Sequence, residues 1–137
     1  MRATRVASVI AVAVCLTAAP FAAHHGFSSE YDEKKPVTLS GAVTKLEWTN
    51  PHARFYIDVK DASGKVTTWN FELASINSMR RNGWTQFTLK VGDTVTATGY
   101  AALSGLPMAN ASSVVLADGT RLFAETNAPS VQQTPQR

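Results

Sequence analysis

The chain has 137 residues, thirteen Lys and Arg against ten Asp and Glu, three His and a single Cys, a size that suits one small domain. Two of the basic residues, Arg2 and Arg5, stand in a stretch that reads as a removable leader; without them eleven basic residues face ten acidic ones, a net of +1. Such a balance gives no electrostatic footprint for nucleic acid and no polybasic run aimed at an anionic membrane surface, while a hydrophobic content of 45% allows a modest core.

Residues 1–5 are a short basic start, and residues 6–19 are an apolar stretch of the length expected for a secretory leader and too short to span a bilayer. Small residues follow, and the chemistry changes at His24-His25. Cleavage after Ala22 or Ala23 is the natural reading, so residues 1–23 are predicted to be a signal peptide. Cys15 lies within it. The mature chain then has no thiol, which excludes a disulfide, a thiolate metal site and a cysteine nucleophile.

Residues 24–36 read as a charged N-terminal arm, and residues 37–126 as the folded domain. In the first strand Val37, Leu39, Gly41 and Val43 point one way, after which the apolar phase jumps to Leu46 and Trp48; this predicts a bulge or bend near Thr44-Lys45. Phe55, Ile57 and Val59 alternate with Arg54, Tyr56, Asp58 and Lys60 in a second strand with one buried and one wet face. Asp61-Ala62-Ser63-Gly64 makes a turn into a third, where Trp69, Phe71 and Leu73 alternate with Thr68, Asn70 and Glu72. Ser75 can cap one short helix that Asn82-Gly83 stops. Val95, Ala97 and Gly99 then mark a fourth strand with a bend at Gly99, and residues 110–116 a fifth, which Ala117-Asp118-Gly119-Thr120 turns back through Leu122-Phe123. Residues 127–137 have almost no apolar content and read as a disordered tail. The fold class is therefore all-β: a small OB-like five-stranded barrel with one short helix, whose closure hides the edges that a short cysteine-free chain would otherwise expose.

The three histidines, His24, His25 and His52, all survive processing. A chain starting at His24 offers its α-amine and imidazole to one Cu(II) and leaves a position for another imidazole such as that of His52. A chain starting at Ala23 offers an amine, two amide nitrogens and the imidazole of His25. Planar nitrogen donation is the geometry that Cu(II) favours, so either cut points to copper, weighed against a polar terminus that chelates copper without biological meaning. His52 follows Pro51 in a loop, and Glu47 or Asp58 could orient its second nitrogen. Met79 and Met108 read as core filler rather than soft ligands. Outward aromatic residues, Tyr56 with Trp48 and Trp84, suggest instead a face for a ligand or a protein partner. No acid, base and nucleophile converge in the sequence, so no enzyme is expected.

A leader ending in Ala-His-His, then Phe27 and Tyr31-Asp32, then Pro36-Val37-Thr38-Leu39-Ser40-Gly41 and above all Trp48-Thr49-Asn50-Pro51-His52 resemble a family of small exported bacterial proteins of unknown function. Gly83-Trp84, Leu89-Lys90-Val91-Gly92-Asp93 and Asn110-Ala111 look like further family positions. The resemblance runs from about residue 23 to residue 123. It implies a periplasmic barrel with His24, His25 and His52 in motif positions, and supplies no activity. Gly26 departs from a common Ser, and Arg54 from an aromatic, which breaks any continuous aromatic platform. Two readings stand: a periplasmic copper-binding protein using His24, His25 and His52, or a metal-free envelope module that binds a protein or small ligand on its barrel face, with neither nucleic acid nor membrane insertion of the mature chain.

Overall fold

The computed structural model describes residues 26–124. The leader and its cut, His24, His25 and the tail from residue 127 lie outside the described residues. In chain order the elements are α1 (Gly26–Glu30), β1 (Tyr31–Glu47), β2 (Arg54–Lys60), β3 (Val66–Glu72), α2 (Ile76–Arg81), β4 (Thr94–Ala102), β5 (Met108–Leu116) and β6 (Arg121–Phe123).

The strands form one sheet in the order β3-β2-β1-β4-β5-β6, and a further pairing of β3 with β5 closes five of them into a ring. That closing contact is parallel and short, from Asn70↔Met108 to Glu72↔Asn110; the other pairings are antiparallel. With α2 between β3 and β4, this is the all-β, OB-like barrel that the strand order predicts. β6 is a sixth, three-residue strand made by the return through Leu122-Phe123.

Alternation drives the closure. Phe55 and Ile57 on β2 and Phe71 on β3 are fully buried, and Phe55 stacks on Phe71 with ring centroids 5.2 Å apart. The β1–β2 register shifts between Val43 and Lys45, so Thr44 is the bulge that the apolar phase jump predicts. α2 begins where Ser75 accepts a hydrogen bond from the Ser78 amide and ends at Asn82. Met79 on α2 is fully buried, as core filler.

Three expectations are corrected. β1 begins at Tyr31, not at residue 37: the charged run Asp32-Glu33-Lys34-Lys35 is an irregular stretch inside the strand, held between Tyr31, paired with Ala102, and Pro36, paired with Tyr100. Ahead of it residues 26–30 form a helical turn, with Phe27 lying edge-on to Tyr100 at 5.8 Å. Trp84 does not face outward. It is 1% exposed in the barrel core, where its indole Nε1 donates to the Phe123 carbonyl at 2.9 Å, because a large apolar ring fills the barrel end once β6 supplies an acceptor for its single polar atom.

Candidate functional site

His52 is positioned from both sides. The Asn50 side chain accepts a hydrogen bond from the Ile76 amide at 3.2 Å, tying the loop to the start of α2, and Ala53 exchanges backbone hydrogen bonds with Leu73 and Ala74. His52 Nδ1 lies 3.1 Å from the Leu73 carbonyl oxygen. A carbonyl only accepts, so the proton sits on Nδ1 and the neutral ring keeps its lone pair on Nε2. Half of the side chain, 49%, is exposed. The orienting groups are thus not those proposed from sequence. Glu47 is engaged by Lys45 and Tyr56, and Asp58 accepts from the Thr68 hydroxyl at 2.6 Å.

Behind His52 lies a polar hub. Glu72, 7% exposed at the end of β3, has Oε1 3.7 Å from His52 Nδ1. Its Oε2 accepts from the Tyr31 hydroxyl at 2.9 Å and pairs with the Arg54 guanidinium. Arg54 also donates to Asn70 Oδ1, at 3.4 Å. Register explains the convergence: Arg54 faces Glu72 directly across the β2–β3 hairpin, and Tyr31 opens the strand that the arm adds to the barrel. One carboxylate therefore joins the arm, β2, β3 and the His52 loop. A recess of about 430 Å³ opens beside it, lined among others by Tyr31, Arg54, Ala102, Leu103 and Met108.

The Tyr31 phenol is held well above its ordinary range, first by burial and then by the Glu72 carboxylate. In the unfolded chain the phenol ionises near pH 10, whereas in the native state it stays protonated beyond that. The native state therefore binds more protons above about pH 10, and the stability that Tyr31 contributes is fully present below that pH and lost as pH rises through the folded value. Urea unfolding from pH 8 to pH 11 is expected to show the gap between wild type and Tyr31→Phe narrowing only above about pH 10. A gap constant across that range would mean that neither burial nor Glu72 holds the phenol above its ordinary range.

The aromatic residues proposed as a ligand face are not brought together. Tyr56 is on the outward side of β2, with Lys45 Nζ over its ring at 5.3 Å and its hydroxyl donating to Glu47 at 3.3 Å. Lys45 holds the Glu47 carboxyl below its usual range. Trp48 packs partly buried against the core, and Trp84 is inside it. Among the described residues no group of three or more His, Cys, Asp or Glu is placed to hold a metal ion, so His52 stands there as a single imidazole. No described helix is long and apolar enough to cross a membrane.

Sequence reasoning missed Glu72, Arg54 and Tyr31 as one site. The available signal was hairpin arithmetic: counting outward from the turn at Asp61-Ala62-Ser63-Gly64 sets Arg54 opposite Glu72. Compared with known proteins, the chain matches the profile of a family of unknown function (DUF6152) over residues 11–110. No curated protein and no solved structure matches it.

Proposed function

We propose, for a chain that belongs to the DUF6152 family of unknown function, a non-enzymatic role as an exported periplasmic protein that binds copper with His24, His25 and His52. The observation that carries this reading is the tethered imidazole of His52: Nδ1 is committed to the Leu73 carbonyl, so Nε2 is the nitrogen presented for coordination. Metal-binding histidines typically give their other ring N–H to a carbonyl or carboxylate in this way. Tyr31, six residues after His25, is bonded to the same Glu72 that lies beside His52. That common partner sets Tyr31, near the start of the described chain, beside the His52 loop, which supports a shared site.

The test is native intact-mass spectrometry of protein processed in a bacterial periplasm, with one equivalent of Cu(II) and a competing chelator. The expected result is a chain starting at Ala23 or His24 that retains one copper. In a chain that starts at His24, where the planar set is incomplete without a further imidazole, His52→Ala should weaken retention at least about tenfold, since even groups that only orient a ligand are worth 10–100-fold. A terminus elsewhere, no retained copper, or a His52→Ala protein that holds copper as wild type does would overturn the shared site.

A further inference from the structure

We infer that the recess beside the Tyr31–Glu72–Arg54 hub binds small aliphatic monocarboxylates, with the carboxylate on Arg54 and the chain against Ala102, Leu103 and Met108. This site is separate from the copper reading and uses none of its ligands.

The polar groups of the wall differ in how far their partners already use them. The Tyr31 hydroxyl is committed to Glu72, the Ser29 hydroxyl donates to the Gly26 carbonyl at 2.9 Å, and the Ser104 hydroxyl accepts from the Leu106 amide at 3.3 Å. Arg54 differs. Its guanidinium carries five N–H groups, and its side-chain partners are Glu72 and Asn70, so donors remain on a fork that is 27% exposed. The buried carboxylate of Glu72 fixes the plane of that fork in advance, which lowers the ordering cost of binding. A planar acceptor that takes two N–H groups at once is the complement of such a fork.

The remaining wall decides what is attached to the acceptor. Ala102, Leu103 and Met108 are apolar, and Leu103 is 52% exposed, so a hydrocarbon chain would cover surface now facing water. A volume of about 430 Å³ falls in the range of small-molecule clefts. Charge selects a single negative group. One carboxylate takes the spare N–H groups of Arg54, and a second anionic charge on the ligand would meet the Glu30 carboxylate of the wall with no donor left for it.

The experiment is a ¹H–¹⁵N NMR titration of the processed chain, with chelator present to remove copper, using butyrate and hexanoate and, as matched controls, hexanol, hexylamine and adipate. Hexanoate should give saturable shifts at the Ala102 and Leu103 amides and the Arg54 side chain. It should bind about fifteenfold tighter than butyrate, from two added methylenes at roughly fourfold each. The three controls should bind at least about tenfold more weakly than hexanoate. Arg54→Lys, which keeps a cation for Glu72 but loses the fork, should weaken hexanoate about tenfold. Leu103→Ser, at an exposed turn position, should weaken it about threefold with the fold unchanged by circular dichroism. No saturation by about 20 mM, well above a millimolar affinity, equal binding of hexanol, or an Arg54→Lys protein that binds as wild type does would each overturn the proposal.

Discussion

Replacing Gly99 by alanine is expected to destabilise the barrel by about 3 kcal/mol or more, read as a lower urea midpoint with an unchanged slope. Gly99 pairs with Val37 of β1 on one side and with Ala111 of β5 on the other. The β4–β5 register passes from Thr98↔Ser113 to Gly99↔Ala111, so Ser112 is the extra residue, and its hydroxyl donates to the Thr98 carbonyl at 3.1 Å. At that bulge a Cβ on Gly99 would overlap the Asn110 carbonyl oxygen and lie 2.9 Å from its carbon and 3.1 Å from the Ala111 Cα. All three are backbone atoms of a paired strand. They cannot swing aside as a side chain could, and moving them means sliding β5 along both β4 and β3.

Gly41 stands in the same position on the other flank of the ring, where a Cβ would lie 2.8 Å from the Asp58 carbonyl carbon. At Gly26 nothing lies within 4 Å of an added Cβ, so Gly26→Ala should change stability by less than about 0.5 kcal/mol. A Gly99→Ala protein as stable as the Gly26→Ala control would show that β4 and β5 separate cheaply and that the bulge is not fixed by close approach.

The bulge at Thr44 was legible because it leaves a mark on the alternation of apolar residues, and period 2 admits no other reading of a slipped phase; the bend at Gly99 was legible from a glycine standing inside a strand. The short helix was legible from Ser75 and Asn82-Gly83, whose roles are local. What escaped was decided by partners far away in sequence. Asp32-Glu33-Lys34-Lys35 has the composition of a solvated arm, and its membership of β1 follows from anchors at either end, Tyr31 on Ala102 and Pro36 on Tyr100. Trp84 has polar neighbours, Gly83, Thr85 and Gln86, and only the Phe123 carbonyl supplied by β6 makes its burial tolerable. Glu72 alternates with Phe71 and Leu73 and so reads as water-facing. It is buried because the arm brings Tyr31 over it and the hairpin sets Arg54 across from it. Of the site, therefore, His52 was visible as a motif residue, while the hub behind it required the register and the arm together.

That hub supplies the second large effect. Arg54→Met is expected to cost about 3 kcal/mol, because it leaves the Glu72 carboxylate buried with only the Tyr31 hydroxyl and the nearby His52 ring as partners, and an uncompensated buried charge is strongly destabilising. Glu72→Gln should cost less, about 1.5 kcal/mol. The Gln amide still accepts from Tyr31, and the guanidinium that loses its counter-charge is 27% exposed, so water can solvate part of it. The asymmetry follows from burial: of two partners in one ion pair, the more buried one suffers more from being left alone. The double variant Glu72→Gln/Arg54→Met removes both charges at once, and should regain more than half of the loss caused by Arg54→Met alone. Urea unfolding of the three variants at pH 7 completes the cycle. Additive losses would mean that the two side chains do not sense each other, and the carboxylate at the end of β3 would then not be what joins the arm, the hairpin and the His52 loop.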